Sequence, residues 1–316
     1  MHKIAIAPML DWTDRHFRYF MRQITKYTEL YTEMIVADAI LHGNQDKLLS
    51  FHPDELPLVV QLGGSCPDKL SKAAKICMNY GYSGINLNVG CPSDRVKSGN
   101  FGACLMKDSH LVASCIKSLQ DSVSIPVSIK LRIGVDHLDS YEFFRDFVLS
   151  IAETGCQDFI IHARIAILGG LSPKENREIP PLKYEYVYRL KQEQPDLSIM
   201  INGGIKTIID ATTHLKQVDG AMIGRGAYYT PYIFSTVDRD IYNCDDTLKS
   251  RIEIAFQMIP YLKTLQSQNV PLHHVTRHMI GLFHGCPNAK QWRKTVTQDI
   301  ISLNCLTPYY SFLQNC

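Results

Sequence analysis

Cys91 closes the run Ile85-Asn86-Leu87-Asn88-Val89-Gly90-Cys91-Pro92, in which apolar residues alternate with asparagines. The alternation predicts a strand that stops at Gly90, since Pro92 has no N–H to continue a ladder. A thiol at that point is fixed by the strand and opens onto a loop. An ordinary cysteine, with a pKa of about 8.5, is mostly protonated at neutral pH. It suits a general acid, in contrast to the thiolate nucleophile of a protease. The competing reading is a small buried hydrophobe, which is what a free cysteine usually is.

Other polar residues stand in equally apolar runs. Lys130 lies within Val127 to Ile133, where a lysine is uncommon unless paired or functional. A cation there could neutralise the anionic edge of a reduced flavin, or simply bond a carboxylate such as Glu33. His162 ends another apolar run, and a lone histidine in a strand is as often structural. Gln61 could bond the edge of a planar heterocycle in two directions. Asn202-Gly203-Gly204 and Gly224-Arg225-Gly226 are glycine-rich turns that let backbone N–H groups approach an anion, with Arg225 adding a charged fork. Two tight turns that need glycine are the alternative. Neither turn matches a P-loop or a dinucleotide fingerprint.

These residues must be positioned by strands. Short apolar runs are predicted as strands at Ile4–Met9, Leu30–Ile35, Leu58–Gly64, the Cys91 run, Val127–Ile133, Phe159–Arg164, Ser198–Gly204 and Gly220–Gly226. Helical spacing falls between them at Arg15–Gln23, Pro67–Tyr80, Leu111–Leu119, Ser140–Ala152, Tyr184–Lys191 and Ile208–Leu215. Nearly continuous apolar strands belong to parallel sheets covered on both faces. Eight such units in about 235 residues is the size of a TIM (β/α)8 barrel. The barrel is preferred to an open sheet because functional-looking residues end nearly every strand, and an open sheet gathers them at one switch point. From about Asp240 onward no strand is predicted, and Leu248–Leu265 and Val275–Phe283 read as helices. The expected division is a barrel over 1–238 and a small all-helical domain over 239–316.

The 316 residues are 45% hydrophobic, enough for a sizeable core, and the formal net charge of +2 does not announce a nucleic-acid binder. No apolar run reaches a membrane span, and the N-terminus does not read as a signal peptide. The ten cysteines include no C-x-x-C pair, so zinc and iron–sulfur spacings are missing and a reduced, cytoplasmic protein is expected. His273, His274 and His278 lack a further ligand type nearby, so no metal is expected there and an exposed helix start is the preferred reading.

Longer motifs carry a family resemblance. They are A-P-M-L-D-W-T-D-R-H from Ala7, L-Y-T-E-M from Leu30, Q-L-G-G from Gln61 and N-L-N-V-G-C-P-S-D-R-V from Asn86. F-G-A-C-L-M from Phe101, G-L-S-P-K-E-N-R-E-I-P-P-L from Gly170, I-N-G-G-I-K from Ile201 and G-R-G-A-Y from Gly224 follow. T-R-H-M-I-G-L-F from Thr276 and Q-W-R from Gln291 complete the set. Over roughly residues 4 to 295 the chain resembles the tRNA-dihydrouridine synthases, and S-P-K-E-N-R marks the DusA type within them.

The resemblance implies a TIM barrel holding FMN, followed by a helical domain. It implies NADPH as electron donor and reduction of uridine in the tRNA D-loop at positions 20 and 20a, with hydride to C6 and a proton to C5. Carried over by motif, Cys91 is the proton donor. Pro8, Met9, Leu10, Gln61, Lys130, His162, Asn202, Gly203, Gly204, Gly224 and Arg225 hold FMN, and Asn88 faces the bound uridine. A uracil inside a duplex is unreachable, so the target base must turn out of its loop onto a stacking plane.

Lys174 and Arg177 in the loop after the sixth strand, with Lys290 and Arg293 near Trp292, are expected to contact tRNA phosphates. From Val270 to Gln298 the chain has Arg277, Lys290, Arg293 and Lys294 and no acid; a solvated basic face is the plain alternative. The expected partner is tRNA, with no DNA and no membrane, and the expected state is a monomer.

Two departures stand out. Ile165 follows H-A-R where the DusA type usually carries a lysine, and beyond about Val296 the resemblance fades, with no clear helix period from Ile300 to Cys316. A flavoenzyme acting on a free pyrimidine, as dihydroorotate dehydrogenases do, is one alternative, against which the basic tail and the S-P-K-E-N-R loop argue. A tRNA-binding folding factor with vestigial catalysis is the other.

Overall fold

The computed structural model describes residues 2–93, 99–244, 248–303 and 305–315. The stretch Asp94-Arg95-Val96 of the cysteine motif and the terminal Cys316 lie outside the described residues. Eight parallel strands form one sheet: β1 Lys3–Ile6, β2 Leu30–Val36, β3 Leu58–Gly63, β4 Gly84–Val89, β5 Val127–Arg132, β6 Asp158–His162, β7 Ser198–Asn202 and β8 Gly220–Ile223. β1 pairs with β8, and the gap between β1 and β2 is closed by a parallel bridge from Ala5 to Glu29. There the Ile6 N–H donates to the Glu29 carbonyl at 3.0 Å and the Glu29 N–H to the Ile4 carbonyl at 2.9 Å. The sheet is therefore a closed barrel, and the open-sheet alternative falls.

The strands are buried on both faces, as expected from sequence, and the two faces pack differently. One set of positions, including Leu58, Val60, Leu62, Ile85, Leu87, Ile129, Leu131, Ile199 and Ile201, is fully buried against the surrounding helices. The other set points into the barrel. Ala5, Ala7, Tyr31, Val59, Ile160, Met200 and Met222 form a separate buried cluster that plugs it. Beyond that plug, toward the C-terminal strand ends, the inward residues become polar.

The helices between strands follow their predicted spacing. Pro67–Asn79 buries Leu70, Ala73, Ala74 and Cys77 on one stripe. Tyr141–Ala152 buries Phe144, Phe147, Val148 and Ile151, and the Ser140 hydroxyl caps it by accepting from the Phe143 N–H at 3.1 Å.

From Arg251 the described chain is helical: Arg251–Gln257, Ile259–Ser267, His273–Met279, Ala289–Lys294 and Thr307–Gln314. The single helix expected over Leu248–Leu265 is two, broken at Met258 ahead of Pro260, which has no N–H to continue the first. The tail, unread as a helix in sequence, does form one. Tyr309 and Phe312 pack on the fully buried Trp292, and the Tyr309 hydroxyl donates to the Ala255 carbonyl at 2.7 Å.

The helical segment is pinned to the barrel through Asp14. Its carboxylate caps helix Arg15–Ile24, accepting from the His16 and Phe17 N–H groups at 2.9 and 3.0 Å. It also meets Arg277 at 2.6 Å and His278 at 3.0 Å. Burial pushes the Asp14 carboxyl up, but His278, the Phe17 amide and Arg277 outweigh it and hold it below the usual carboxylate range. His278 is thus buried, in contrast to the exposed helix start expected for the histidine cluster.

Candidate active site at the barrel mouth

A chain of side-chain amides crosses the barrel above the plug. On β4, Asn86 donates to the Ser128 hydroxyl of β5 at 2.9 Å and accepts from the Gln61 amide of β3 at 2.8 Å. Gln61 in turn accepts from the Asn88 amide at 2.8 Å. The Asn88 carbonyl oxygen accepts from the backbone N–H of Gly90 at 3.2 Å and of Cys91 at 3.0 Å. Period-two geometry puts Asn86 and Asn88 on the same inner face, so the asparagines of the cysteine strand are what tie the cysteine turn to the barrel. The Cys91 carbonyl accepts from the Ala103 N–H at 2.9 Å, and its thiol lies 3.6 Å from the Ser93 hydroxyl. Cys91 is half-buried, and its backbone is held on both sides.

Gln61 is 1% exposed and keeps one N–H and one carbonyl lone pair beyond its two amide partners. Asn88, expected to face a substrate uridine, donates one amide N–H to Gln61 and accepts from the cysteine turn, which positions Cys91 and leaves a second amide N–H beyond these bonds.

Lys130 and Asn202 face each other across the mouth. The Lys130 ammonium donates to the Asn202 carbonyl oxygen at 3.0 Å, and the Asn202 amide donates to the Met222 carbonyl at 2.8 Å. The alternative pairing of Lys130 with Glu33 is not made; Glu33 accepts from the Asp11 N–H at 2.5 Å. Burial pushes the Lys130 ammonium down to about 7, with Arg132 adding to the effect and Cys91 opposing it. His162 is pushed well below its ordinary value by burial and by Arg132 and Lys130, so its ring is neutral.

Two buried polar atoms at the end of β6 have no partner among the described residues: Nδ1 of His162 and Nε of Arg164. The Arg164 guanidinium donates to the Pro180 carbonyl. Gly203 and Gly204 have φ of 112° and 73°, a backbone that other residues rarely adopt. A Cβ on Gly204 would also come within 2.6 Å of the Tyr184 hydroxyl. Arg225 at the end of β8 meets Glu178 of the loop after β6 at 2.5 Å. Lys130, Arg132, Arg164, Arg177 and Arg225 thus gather at one side of the mouth with Glu178 as the acid among them. Orphaned donors, left-handed glycines and clustered cations fit an anionic, planar, hydrogen-bonding cofactor.

Three residues with no role assigned from sequence belong here. Buried Arg132 donates from Nε to the Gly90 carbonyl at 2.9 Å, and from a terminal nitrogen to the Ile165 carbonyl at 2.9 Å and the Asn176 carbonyl at 3.0 Å. It joins the cysteine turn to the loop carrying Lys174 and Arg177. Asn176, fully buried, folds that loop: it accepts from the Ile167 N–H at 2.7 Å and donates to the carbonyls of Ile167 and Leu171. Arg164 is the third. Their signal in sequence was a charged or amide residue inside a motif, without the fold that shows what it touches.

Pro8 and Met9 are half-buried beside the end of β8, where a Cβ on Gly224 would lie 3.8 Å from the Met9 sulfur, while Leu10 points outward. Lys174 and Arg177 are exposed on the loop after β6. Lys290 and Arg293 are exposed on helix Ala289–Lys294, away from the strand ends in sequence and in the helical segment. Arg277, counted among the basic residues of the tail, is engaged by Asp14. Ile165 packs its side chain against the core, so the position where the resembling proteins carry lysine contributes no charge here.

Comparison with known proteins agrees with this geometry. A family model described as "Dihydrouridine synthase (Dus)" matches residues 5–302. The chain is 54% identical to a tRNA-dihydrouridine(20/20a) synthase of Synechocystis sp., covering 95% of this chain and 90% of that protein. It is 51% identical to the Vibrio parahaemolyticus protein of the same name, covering 94% and 91%, and 52% identical to the Escherichia coli K12 protein, covering 94% and 86%. A solved 2-naphthoyl-CoA reductase complex superposes with a TM-score of 0.58 at 10% identity, over 74% of this chain and 49% of that one, a likeness of fold alone. Among the described residues no helix is long and apolar enough to cross a membrane.

Proposed function

The chain belongs to the dihydrouridine synthase family, and from that premise we propose that it reduces uridine to 5,6-dihydrouridine in the tRNA D-loop, at positions 20 and 20a, using FMN and NADPH. The observation that carries the reading is that one barrel mouth holds both a backbone-fixed Cys91 and a cation-rich seat where His162 Nδ1 and Arg164 Nε have no partner among the described residues.

The chemistry FMN would supply is hydride transfer from NADPH to C6 of the uracil. Lys130, His162 and the spare amide groups of Gln61 would hold the polar edge of the flavin ring. Pro8, Met9 and Leu10 line its apolar side. Asn202, Gly203, Gly204, Gly224 and Arg225 would take its phosphate, with Arg225 held meanwhile by Glu178. The Cys91 thiol gives its proton to C5, and water returns one to the sulfur. The balance is uridine, NADPH and a proton in, dihydrouridine and NADP⁺ out. Asn88 and Arg132 hold the cysteine turn in place through this step.

Lys174, Arg177, Lys290 and Arg293 grip the tRNA backbone, the first two from the barrel loop and the last two from the helical domain. The division we infer is 1–238 for catalysis and 239–316 for tRNA binding. Asp238 fits the boundary: its carboxylate accepts from the Thr25 hydroxyl and the Lys26 N–H, both at 2.6 Å, and anchors the last barrel residue. The nine described cysteines are free, which suits a cytoplasmic enzyme, and we take it to act as a monomer.

Mass spectrometry of digested tRNA tests the proposal. The tRNA comes from a strain lacking the modification and is incubated with the protein, FMN and NADPH. A gain of two hydrogens on a D-loop uridine is expected. No gain from a protein that binds flavin would overturn it.

A further inference from the structure

Beside the mouth, the loop after β1 and the helix after β8 leave large apolar side chains in water. Leu10 is 64% exposed and Tyr229 is 57% exposed. Tyr229 is nevertheless held firmly. It ends helix Arg225–Tyr229, and a Cβ on Gly281 would come within 2.3 Å of its carbonyl oxygen, so the helical segment presses on its backbone. Its ring meets Trp12 at 5.4 Å and Tyr228 at 6.1 Å, both in edge contacts. Trp12 and Tyr228 stack at 4.3 Å, and Tyr228 rests on Phe17 and His278. Half-buried Trp12 and Tyr228, themselves resting on buried Phe17 and His278, thus back one ring that faces solvent.

The surroundings are cationic. Arg177 lies within charge-interaction range of both Cys91 and the Tyr229 hydroxyl, so this ring and the reacting thiol flank the same arginine. Arg225 begins the helix that Tyr229 ends. An exposed aromatic ring with Arg177 in range matches an unpaired base with its phosphate, since bases stack on aromatic faces and phosphates seek guanidinium.

We propose that Tyr229, backed by Trp12 and Tyr228, is a stacking seat for the unpaired tRNA base next to the target uridine. The inference rests on the tRNA reading above. Turning the target out of its loop strips its neighbour of a stacking partner, and the seat replaces that partner while Arg177 steadies the intervening phosphate.

The test measures tRNA affinity of the flavin-loaded full chain across salt concentrations, for wild type, Tyr229→Ala, Tyr229→Leu and Tyr229→Phe. Tyr229→Ala is expected to weaken binding roughly tenfold or more without changing the salt slope, because no phosphate contact is lost. Tyr229→Leu falls between, and Tyr229→Phe keeps most of the affinity. A transcript abasic at one nucleotide flanking the target uridine weakens binding to wild type by the same factor and to Tyr229→Ala not at all; the wild-type arm holds even if a variant fails to fold. Equal affinity for Tyr229→Ala and wild type overturns the seat. So does a Tyr229→Phe loss as large as that of alanine, which would assign the hydroxyl a polar contact. Failure of the tRNA-reductase reading shows separately, as wild type that makes no dihydrouridine.

Discussion

On β6 the inward Ile160 lies two residues before His162, and on β7 Met200 lies two before Asn202. On β8 Met222 precedes Gly224, and on β3 Val59 precedes Gln61. The lower members of these pairs form a dry plug; the upper ones form a hydrogen-bonded, cation-rich mouth. One pleat repeat along the same strands separates the two regions. The plug is satisfied internally, whereas the mouth keeps a His162 and an Arg164 nitrogen with no partner among the described residues and a lysine pushed down to about 7. Stability resides below and unmet chemistry above, as the general behaviour of such barrels leads one to expect.

Substitutions in the two layers therefore have different signatures. The largest effect is expected from Cys91→Ala in the mouth: dihydrouridine formation falls by roughly 10²–10⁴-fold, the range for losing a general acid, with flavin content unchanged. An unchanged single-turnover rate would remove Cys91 from the chemistry. Met222→Ala in the plug inverts the pattern. Its side chain is fully buried, and its truncation is expected to cost about 2–5 kcal/mol, read as a lower melting temperature with turnover per folded molecule retained. Full stability would mean that the plug repacks and that the contrast between layers is weaker than drawn.

Smaller effects sharpen the mouth itself. Replacing Lys174 and Arg177 together by Ala is expected to weaken tRNA binding and to lower the salt slope by about 0.7 for each lost phosphate contact; an unchanged slope would place both side chains off the RNA. For Lys130→Met the sign of the effect is fixed. The folded ammonium titrates near 7 and the unfolded one near 10.5, so between those values the unfolded chain binds the extra proton and the parent gains stability as pH rises. The flavin-free variant is therefore expected to exceed the parent most below about pH 7, with the margin shrinking toward pH 10.5. Thermal melting of both proteins across that window checks it, and a margin independent of pH would contradict the burial assigned to Lys130.

The helical segment shows where reading from sequence is weakest. Its first helix breaks at Met258, and its tail, without evident period, folds around Trp292 through Tyr309 and Phe312. Aromatic residues that pack on a single partner need no 3.6-residue repeat, so periodicity could not reveal them. Asp14 is similar: it looked like a helix cap and is also the joint with Arg277 and His278, more than 250 residues away. Among the site residues, Gln61, Cys91, Lys130, His162 and the two glycine turns were legible because polar groups or glycines at the ends of apolar runs are conspicuous. Arg132, Arg164 and Asn176 were not, since their roles depend on carbonyls and neighbours brought from other loops.

By itself the sequence determined the eight strands, their order with helices and the strand-end placement of polar residues, because local hydrophobic spacing and glycine or proline stops are encoded over a few residues. Only the tertiary structure decided that the sheet closes, that alternate inward positions divide into plug and mouth, and that Asn88 holds Cys91 while Lys130 pairs with Asn202. Those outcomes depend on strand register and on contacts between residues far apart in the chain, which no local pattern contains.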